Sequence, residues 1–403
     1  MNNLFTISKK LIENLGDIYV RESFSSLQSE HRILGIVGSR GVGKTTYMLH
    51  YLKEKYKDSD KALYVSADDI YFSSNKLIDL VDQFINEKDG ELICIDEIHK
   101  YPNWSQELKN IYDRYPKFKV IFSGSSSINL IQQKYDLSRR AVLKSLYGFS
   151  FREYLESKYK TKYRVLTLDE IVQSRSNVSK SIWSTAKLLG EFKEYLRIGY
   201  YPIFKEYTKD EEIYNSLKGI IEKIIYTDIA SYYVLKTPTL KVFQKILYFI
   251  FTQKPSTINP YRLAQSLQKD NKDVSNYLDI LKDSGLLRYL LIDKSGHALI
   301  RNTEKVYLNN TNLYYALAFS TGKEVDVGAV RELFVTEQLE NAGYKVFYSK
   351  NGDISCGKYV FEIGGKGKDS KQIIDLNNAY LIKDGILFGD LKSIPSYLFG
   401  FLY

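Results

Sequence analysis

The sequence predicts an α/β protein whose N-terminal part is a doubly wound parallel sheet, and three observations carry that prediction. An apolar run from Ile33 to Val37 passes directly into a glycine-rich loop and then into a helical stretch from Thr45 to Lys55. Leu92 to Ile95 is apolar at every position, the pattern of a strand buried on both faces of a parallel sheet. Lys119 to Phe122 is a third such strand, and the spacing leaves room for one helix between successive strands.

The elements between them follow in order. Ala62 to Ser66 is a strand that ends in the Asp68-Asp69 turn. Ser74 to Asn86 places Leu77, Leu80, Val81 and Phe84 at helical spacing, and a further helix is expected around Ser105 to Tyr115. This domain should end near residue 160. From Ile182 to about Thr252 the pattern is mainly helical, broken at Gly199 to Pro202. Asn259-Pro260 starts a helix with a cap and a proline at the first position. A second helix, Asp273 to Ser284, has Val274, Tyr277, Leu278 and Leu281 on one face and Gly285 as its stop. With Leu286 to Ile292 as a strand, this segment reads as a winged helix-turn-helix. The remainder reads as a small α+β domain, with a helix from Ala329 to Asn341 and strands at Lys345 to Tyr348, Lys358 to Ile363 and Ala379 to Lys383.

The chemistry is concentrated in the glycine-rich loop. Gly38-Ser39-Arg40-Gly41-Val42-Gly43-Lys44-Thr45, followed by Thr46, fits the phosphate-binding pattern G-x-x-x-x-G-K-[ST]. Its glycines let the backbone N–H groups curl around a β-phosphate, while Lys44 reaches the β- and γ-oxygens. Thr45 offers a hydroxyl to Mg²⁺, and the helix N-terminus lies beneath the phosphates. The expected ligands are therefore ATP or ADP with Mg²⁺. Asp96, at the end of the Leu92 strand, is the second candidate for the metal. Glu97 is the candidate base for the attacking water. Ser125 or Ser126, after the Lys119 strand, is either a sensor of the γ-phosphate or a turn former.

Composition describes an ordinary globular chain, 44% hydrophobic and 26% charged, with a net charge of +9. The stretch 134–164 holds nine basic residues against three acidic ones, which suits either a nucleic acid or a solvated surface. Cys94 and Cys356 are too few for a disulfide framework or metal site, and Cys94 reads as a core residue. The first ten residues lack a signal-peptide core and no segment has 18 uninterrupted apolar residues, so a cytoplasmic, membrane-free protein is expected.

The chain resembles the bacterial and archaeal AAA-type ATPases that carry a C-terminal domain of unknown function. The resemblance spans nearly the whole length. It rests on Gly38 to Thr46 and on Ile95 to Trp104, with its Pro102-Asn103-Trp104 turn. It also includes Ser123 to Ser127, Leu146 to Tyr154, Gly199 to Pro202 and Gly328 to Val335. It implies an AAA+ core, a helical lid, a winged helix and a restriction-endonuclease-like fold, divided at 1–165, 166–235, 236–300 and 301–403. The family's Gly-Arg pair stands here as Arg139-Arg140. The resemblance leaves open which of the two reaches a γ-phosphate; Arg140 is the candidate, within the chain or across a homo-oligomer boundary, and it also reads as a surface arginine. Pro202 resembles an element that packs against adenine, and also reads as a plain turn.

Two further modules bear on partners. Residues 257–300 hold six basic and five acidic residues, thin for DNA, so the winged helix reads as a DNA reader or a protein-packing module. In the last domain Glu332, Asp353 and Glu362 echo an Mg²⁺-dependent nuclease, but Gly364 takes the expected lysine position and Lys366 falls in a loop. Residues 301–403 are balanced, with 12 basic and 12 acidic side chains. The favoured reading is a Mg²⁺·ATP hydrolase acting as a switch or motor for a protein partner. Its rivals are an ATP-coupled nuclease and a non-catalytic ATP-binding scaffold.

Overall fold

The computed structural model describes residues 1–57, 59–124, 137, 139–183, 187–255, 258–293, 305–369, 373 and 376–403, with the side chains of 174–178, 181 and 183 left aside. The chain divides into two units, Met1–Tyr147 and Gly148–Tyr403. Each is built around its own sheet.

The first unit is α/β. Its strands are β1 (Ile33–Val37), β2 (Ala62–Ser66), β3 (Leu92–Asp96), β4 (Lys119–Gly124) and β5 (Ala141–Ser145). They form one parallel sheet in the order β2-β3-β4-β1-β5. Every residue of β3 is buried, as its unbroken apolar sequence requires. The helices are α1 (Asn2–Glu13), α2 (Glu22–Leu27), α3 (Lys44–Lys55), α4 (Leu77–Lys88) and α5 (Trp104–Arg114). All four apolar positions that predicted α4 are buried. Cys94 is fully buried, and burial pushes its thiol well above the ordinary range. Three elements, α1, α2 and β5, were not foreseen. The β5 strand is an edge strand, half-buried from Ala141 to Lys144, and its apolar run is only Ala141-Val142-Leu143. The α1 helix buries only Leu4, Phe5 and Ser8.

The second unit begins with helix Phe151–Tyr159, capped by Ser150 and Glu153 in a reciprocal box. Those residues belong to the Leu146 to Tyr154 motif, which is thus partly a helix start. Helices Leu188–Glu194, Asp210–Lys223 and Thr237–Thr252 follow, as the helical pattern predicted. Two stretches, Tyr195–Gly199 and Ile224–Ile229, are wound as π-helix. The first is held by the buried Asn312, whose amide donates to the carbonyls of Tyr195 (3.2 Å) and Leu196 (3.0 Å) and accepts from Tyr200 N–H (2.9 Å). Carbonyls displaced from α-helical pairing thereby find a donor.

Helices Pro260–Leu267 and Asn271–Asp283 form next. Asn259 caps the first as expected, and Gly285 ends the second at φ 75°. Strands β6 (Leu287–Leu290) and β7 (Lys305–Leu308) pair antiparallel. After helices Thr311–Thr321 and Val327–Asn341 comes a mixed sheet, in the order β12-β11-β10-β9-β8. It comprises β8 (Val346–Tyr348), β9 (Ile354–Cys356), β10 (Tyr359–Gly364), β11 (Ala379–Lys383) and β12 (Ser393–Pro395). Cys356 is also buried, and its thiol is pushed up to about 11.

Arg288 of β6 pairs with Glu340 and lies 3.9 Å from Glu337, both on helix Val327–Asn341. Burial outweighs the attraction of Arg288 and pushes the Glu337 carboxyl up to about 8, with Glu340 acting in the same direction. The raised folded pKa means the native chain holds a proton that the unfolded chain has lost above its ordinary 4.5. Stability contributed there is complete below pH 4.5 and is lost as pH rises through about 8. We expect Tm to fall between pH 5 and 8, and Glu337→Gln to flatten that slope; an unchanged slope in the variant would assign it to other groups.

Candidate nucleotide-binding site

The glycine-rich loop joins β1 to α3, the position its sequence called for. Gly38 has to be glycine because a Cβ there would lie 2.2 Å from the carbonyl oxygen of Leu146. Gly43 has φ 100° immediately before α3, a conformation that side chains disfavour. Lys44 is 5% exposed, and its Nζ donates to the carbonyls of Gly38 (2.8 Å) and Ser39 (3.0 Å). Its ammonium therefore lies against the loop backbone. Arg40 and Gly41 continue the curve, Val42 is buried beneath it, and Thr45 and Thr46 open the helix. The loop is held from below by Arg21, which is buried and donates to the carbonyls of Val42 (3.2 Å) and Tyr147 (2.8 Å).

Three hydroxyls meet at Asp96. Thr45 donates to Oδ2 at 2.5 Å, Tyr64 donates to Oδ2 at 2.9 Å, and Ser123 donates to Oδ1. Ser123 also accepts from the backbone N–H of Glu97 at 3.2 Å. The strand register explains the meeting, because β3 lies between β2 and β4. Burial pushes the Tyr64 phenol far above its usual range, and the neighbouring Asp96 acts in the same direction. Glu97 follows with φ 50° and leads a short 3₁₀ turn, Ile98–Lys100.

Tyr64, Ser123 and Arg21 were not named from sequence. A hydroxyl at the end of an otherwise apolar strand is the signal that would have found Ser123. The expected sensor Ser125 lies outside the described residues, as does Ser126. Pro202 opens a 3₁₀ turn, Pro202–Lys205, within the second unit.

Arg140 corrects one expectation. It immediately precedes β5, whose first residue, Ala141, pairs with the first residue of β1. The phosphate loop leaves the other end of β1, so Arg140 lies roughly 16 Å away along the strands, at about 3.3 Å per residue. It pairs with Asp113 at 3.1 Å and lies over the Tyr112 ring. That position rules out service to its own phosphate site. Several described basic residues of stretch 134–164 have partners within their own unit. Lys144 donates to the carbonyls of Ser26 and Gln28, Arg152 is buried against Glu156, Lys158 pairs with Glu191, and Arg164 pairs with Glu170.

Comparison with known proteins agrees with this geometry. Residues 30–155 match a family model described as an AAA domain. Residues 189–324 match a domain of unknown function, DUF8612. The uncharacterized protein MJ1637 of Methanocaldococcus jannaschii is 30% identical over 383 residues, covering 88% of this chain and 80% of that one. The chain belongs to that family. The chain is also similar in part to the Orc1 protein of Aeropyrum pernix, solved in complex with DNA (TM-score 0.31, 14% identity, 78% of this chain and 91% of that chain). AMPPCP-bound DnaA from Aquifex aeolicus gives a TM-score of 0.28 at 13% identity, covering 70% of this chain and 89% of that one. Among the described residues, no helix of the family member is long and apolar enough to cross a membrane.

The Asp96 cradle can be tested without nucleotide. We expect Ser123→Ala to lower the unfolding free energy by about 1.5–3 kcal/mol, the range for a hydrogen bond to a charged group. Urea titration of the full chain reads this, with Ser123→Thr, which keeps the hydroxyl, recovering most of the loss; wild-type stability in the alanine variant would remove Ser123 from the cradle.

Proposed function

We propose that the N-terminal unit binds Mg²⁺·ATP, hydrolyses it and releases ADP, as a switch or motor for a protein partner. The contact between Thr45 and Asp96 carries this reading, because it sets a hydroxyl and a carboxylate beside Lys44 at the mouth of the loop. Oxygen donors in that number suit Mg²⁺, which takes its remaining ligands from phosphate and water. A cage of three or more His, Cys, Asp or Glu is absent among the described residues, and this mode of binding does not require one. When bound, the cation neutralises charge on the β- and γ-phosphates. The chain's own residues do the rest. Lys44 exchanges its carbonyl partners for phosphate oxygens, the loop N–H groups hold the β-phosphate, and Glu97 accepts the proton of the attacking water. Arg140, at the far end of the sheet from its own loop, serves a neighbouring copy in a homo-oligomer.

In the second unit we assign a helical lid to 166–235, a winged helix to 236–300 and a restriction-endonuclease-like domain to 301–403. The paired helices before the β6–β7 hairpin support the second, and helix Val327–Asn341 with the mixed sheet supports the third. Asp279 and Asp283 are exposed beside Lys282, which favours a protein partner over DNA for the winged helix.

The last domain does not cut nucleic acid in this reading. Lys305 pairs with Glu332, and Lys368 Nζ lies 2.5 Å from Glu362 Oε1, so lysines cover two of the three candidate metal carboxylates. Asp353 accepts from Ile363 N–H at 2.7 Å. One observation favours the nuclease alternative. Gly364 lacks a side chain, and the stem of Lys368 lies across it, so a lysine reaches Glu362 from 368 rather than from 366.

Two measurements test the proposal. Lys44→Ala should abolish binding of a fluorescent ATP analogue, whereas Glu97→Gln should keep it and slow turnover by roughly 10²-fold or more. Unchanged affinity in the first, or unchanged turnover in the second, would overturn the site. Incubation of the full chain with single- and double-stranded DNA and RNA, with Mg²⁺ or Mn²⁺ and ATP, should leave them intact. Cleavage lost in both Asp353→Ala and Glu362→Ala would establish the nuclease instead.

A further inference from the structure

The carboxylate of Glu97 is held from two sides. Arg40, inside the phosphate loop, brings Nη1 to 3.8 Å from Oε1, and His99 brings Nε2 to 3.4 Å from Oε2. The His99 side chain is 6% exposed and those of Arg40 and Glu97 are 19% and 17%, so water screens these contacts weakly. Glu97 also has φ 50°, a left-handed conformation that a non-glycine residue keeps only when its surroundings hold it. The buried Ile98 and the Ser123 hydroxyl on the Glu97 N–H supply that hold.

We propose that Arg40 and His99 are positioning residues for Glu97, and that Arg40 passes the arrival of a γ-phosphate to that carboxylate. The proposal rests on Glu97 being the base of an ATPase. Arg40 lies between Ser39 and Gly41, in the segment whose backbone curls around phosphates. A carboxylate offers its guanidinium one negative charge, whereas the γ-phosphate of ATP offers about two and three acceptor oxygens. ATP therefore draws Arg40 away from Glu97, and His99 keeps the carboxylate aimed at the water whose proton it takes. ADP has no γ-phosphate and leaves the Arg40–Glu97 pair in place. Arg40 thus makes the loop distinguish the triphosphate from the diphosphate, and ties that distinction to the base.

A binding cycle on the full chain tests the coupling, with ATP and ADP titrated in Mg²⁺ by calorimetry. Glu97→Gln removes the competing charge, so ATP affinity should rise by about fivefold or more, the low end of coupling between sites, with ADP affinity unmoved. In Arg40→Ala and Arg40→Gln backgrounds the same change should leave ATP affinity where it was. His99→Ala should lower kcat by about tenfold or more at unchanged KM, the effect of a misaimed group, and His99→Gln, whose amide can face the same carboxylate oxygen, should recover most of it. An equal ATP gain with and without Arg40, or a His99→Gln variant as slow as His99→Ala, would overturn the proposal while Glu97 remained the base. Wild-type turnover in Glu97→Gln would instead overturn the reading beneath it, that Glu97 is the base.

Discussion

One buried carboxylate organises the first unit. Asp96 is 5% exposed, and a charge so far from water is tolerable only where hydrogen bonds replace its hydration. Its partners come from the start of α3, from β2 and from β4, so three segments remote in sequence must converge on one side chain. A slip of either neighbouring strand by one residue would turn Tyr64 or Ser123 to the other face and orphan an oxygen. The position of Thr45 in turn sets where α3 begins and hence where the loop curls. The turn that carries Glu97 starts from the same point, through the shared Ser123 hydroxyl.

Much of this unit was legible because burial on both faces of a sheet writes itself as an unbroken apolar run. Strands β1 to β4 carry such runs, and α4 shows the alternative period, with the four apolar positions that predicted it inside. The β5 strand was hidden because an edge position asks less of its residues. Ser123 was passed over in favour of Ser125 because apolar content marks where a strand loses its hydrophobic residues, while pairing continues to Gly124. Arg140 shows a different blind spot. Proximity in sequence to a nucleotide motif does not tell which end of a parallel sheet a residue occupies, and the register of β5 against β1 decides it. A count of basic residues along 134–164 does not show their partners, such as Glu191 for Lys158 and Ser26 for Lys144, which lie elsewhere in the chain.

In the second unit, local rules worked and long-range ones were invisible. The Asn259 cap and the Gly285 stop depend on neighbours within a few residues, so the sequence displays them directly. The π-helical turn at Tyr195 depends on Asn312, more than a hundred residues onward, and no periodicity announces that amide. The pairing of Lys368 with Glu362 depends on a missing side chain at Gly364 and on how the following loop folds back. Spacing along the strand pointed to 366, whereas the lysine reaches the carboxylate through space.

The two cysteines have a practical consequence. Both thiols are buried and both are pushed above the range in which a thiolate is abundant at neutral pH. The native chain is therefore nearly silent toward maleimides and other thiol-directed reagents. A cysteine introduced on the surface would react alone, so a dye or spin label can be placed on either unit without first stripping Cys94 and Cys356 from their cores.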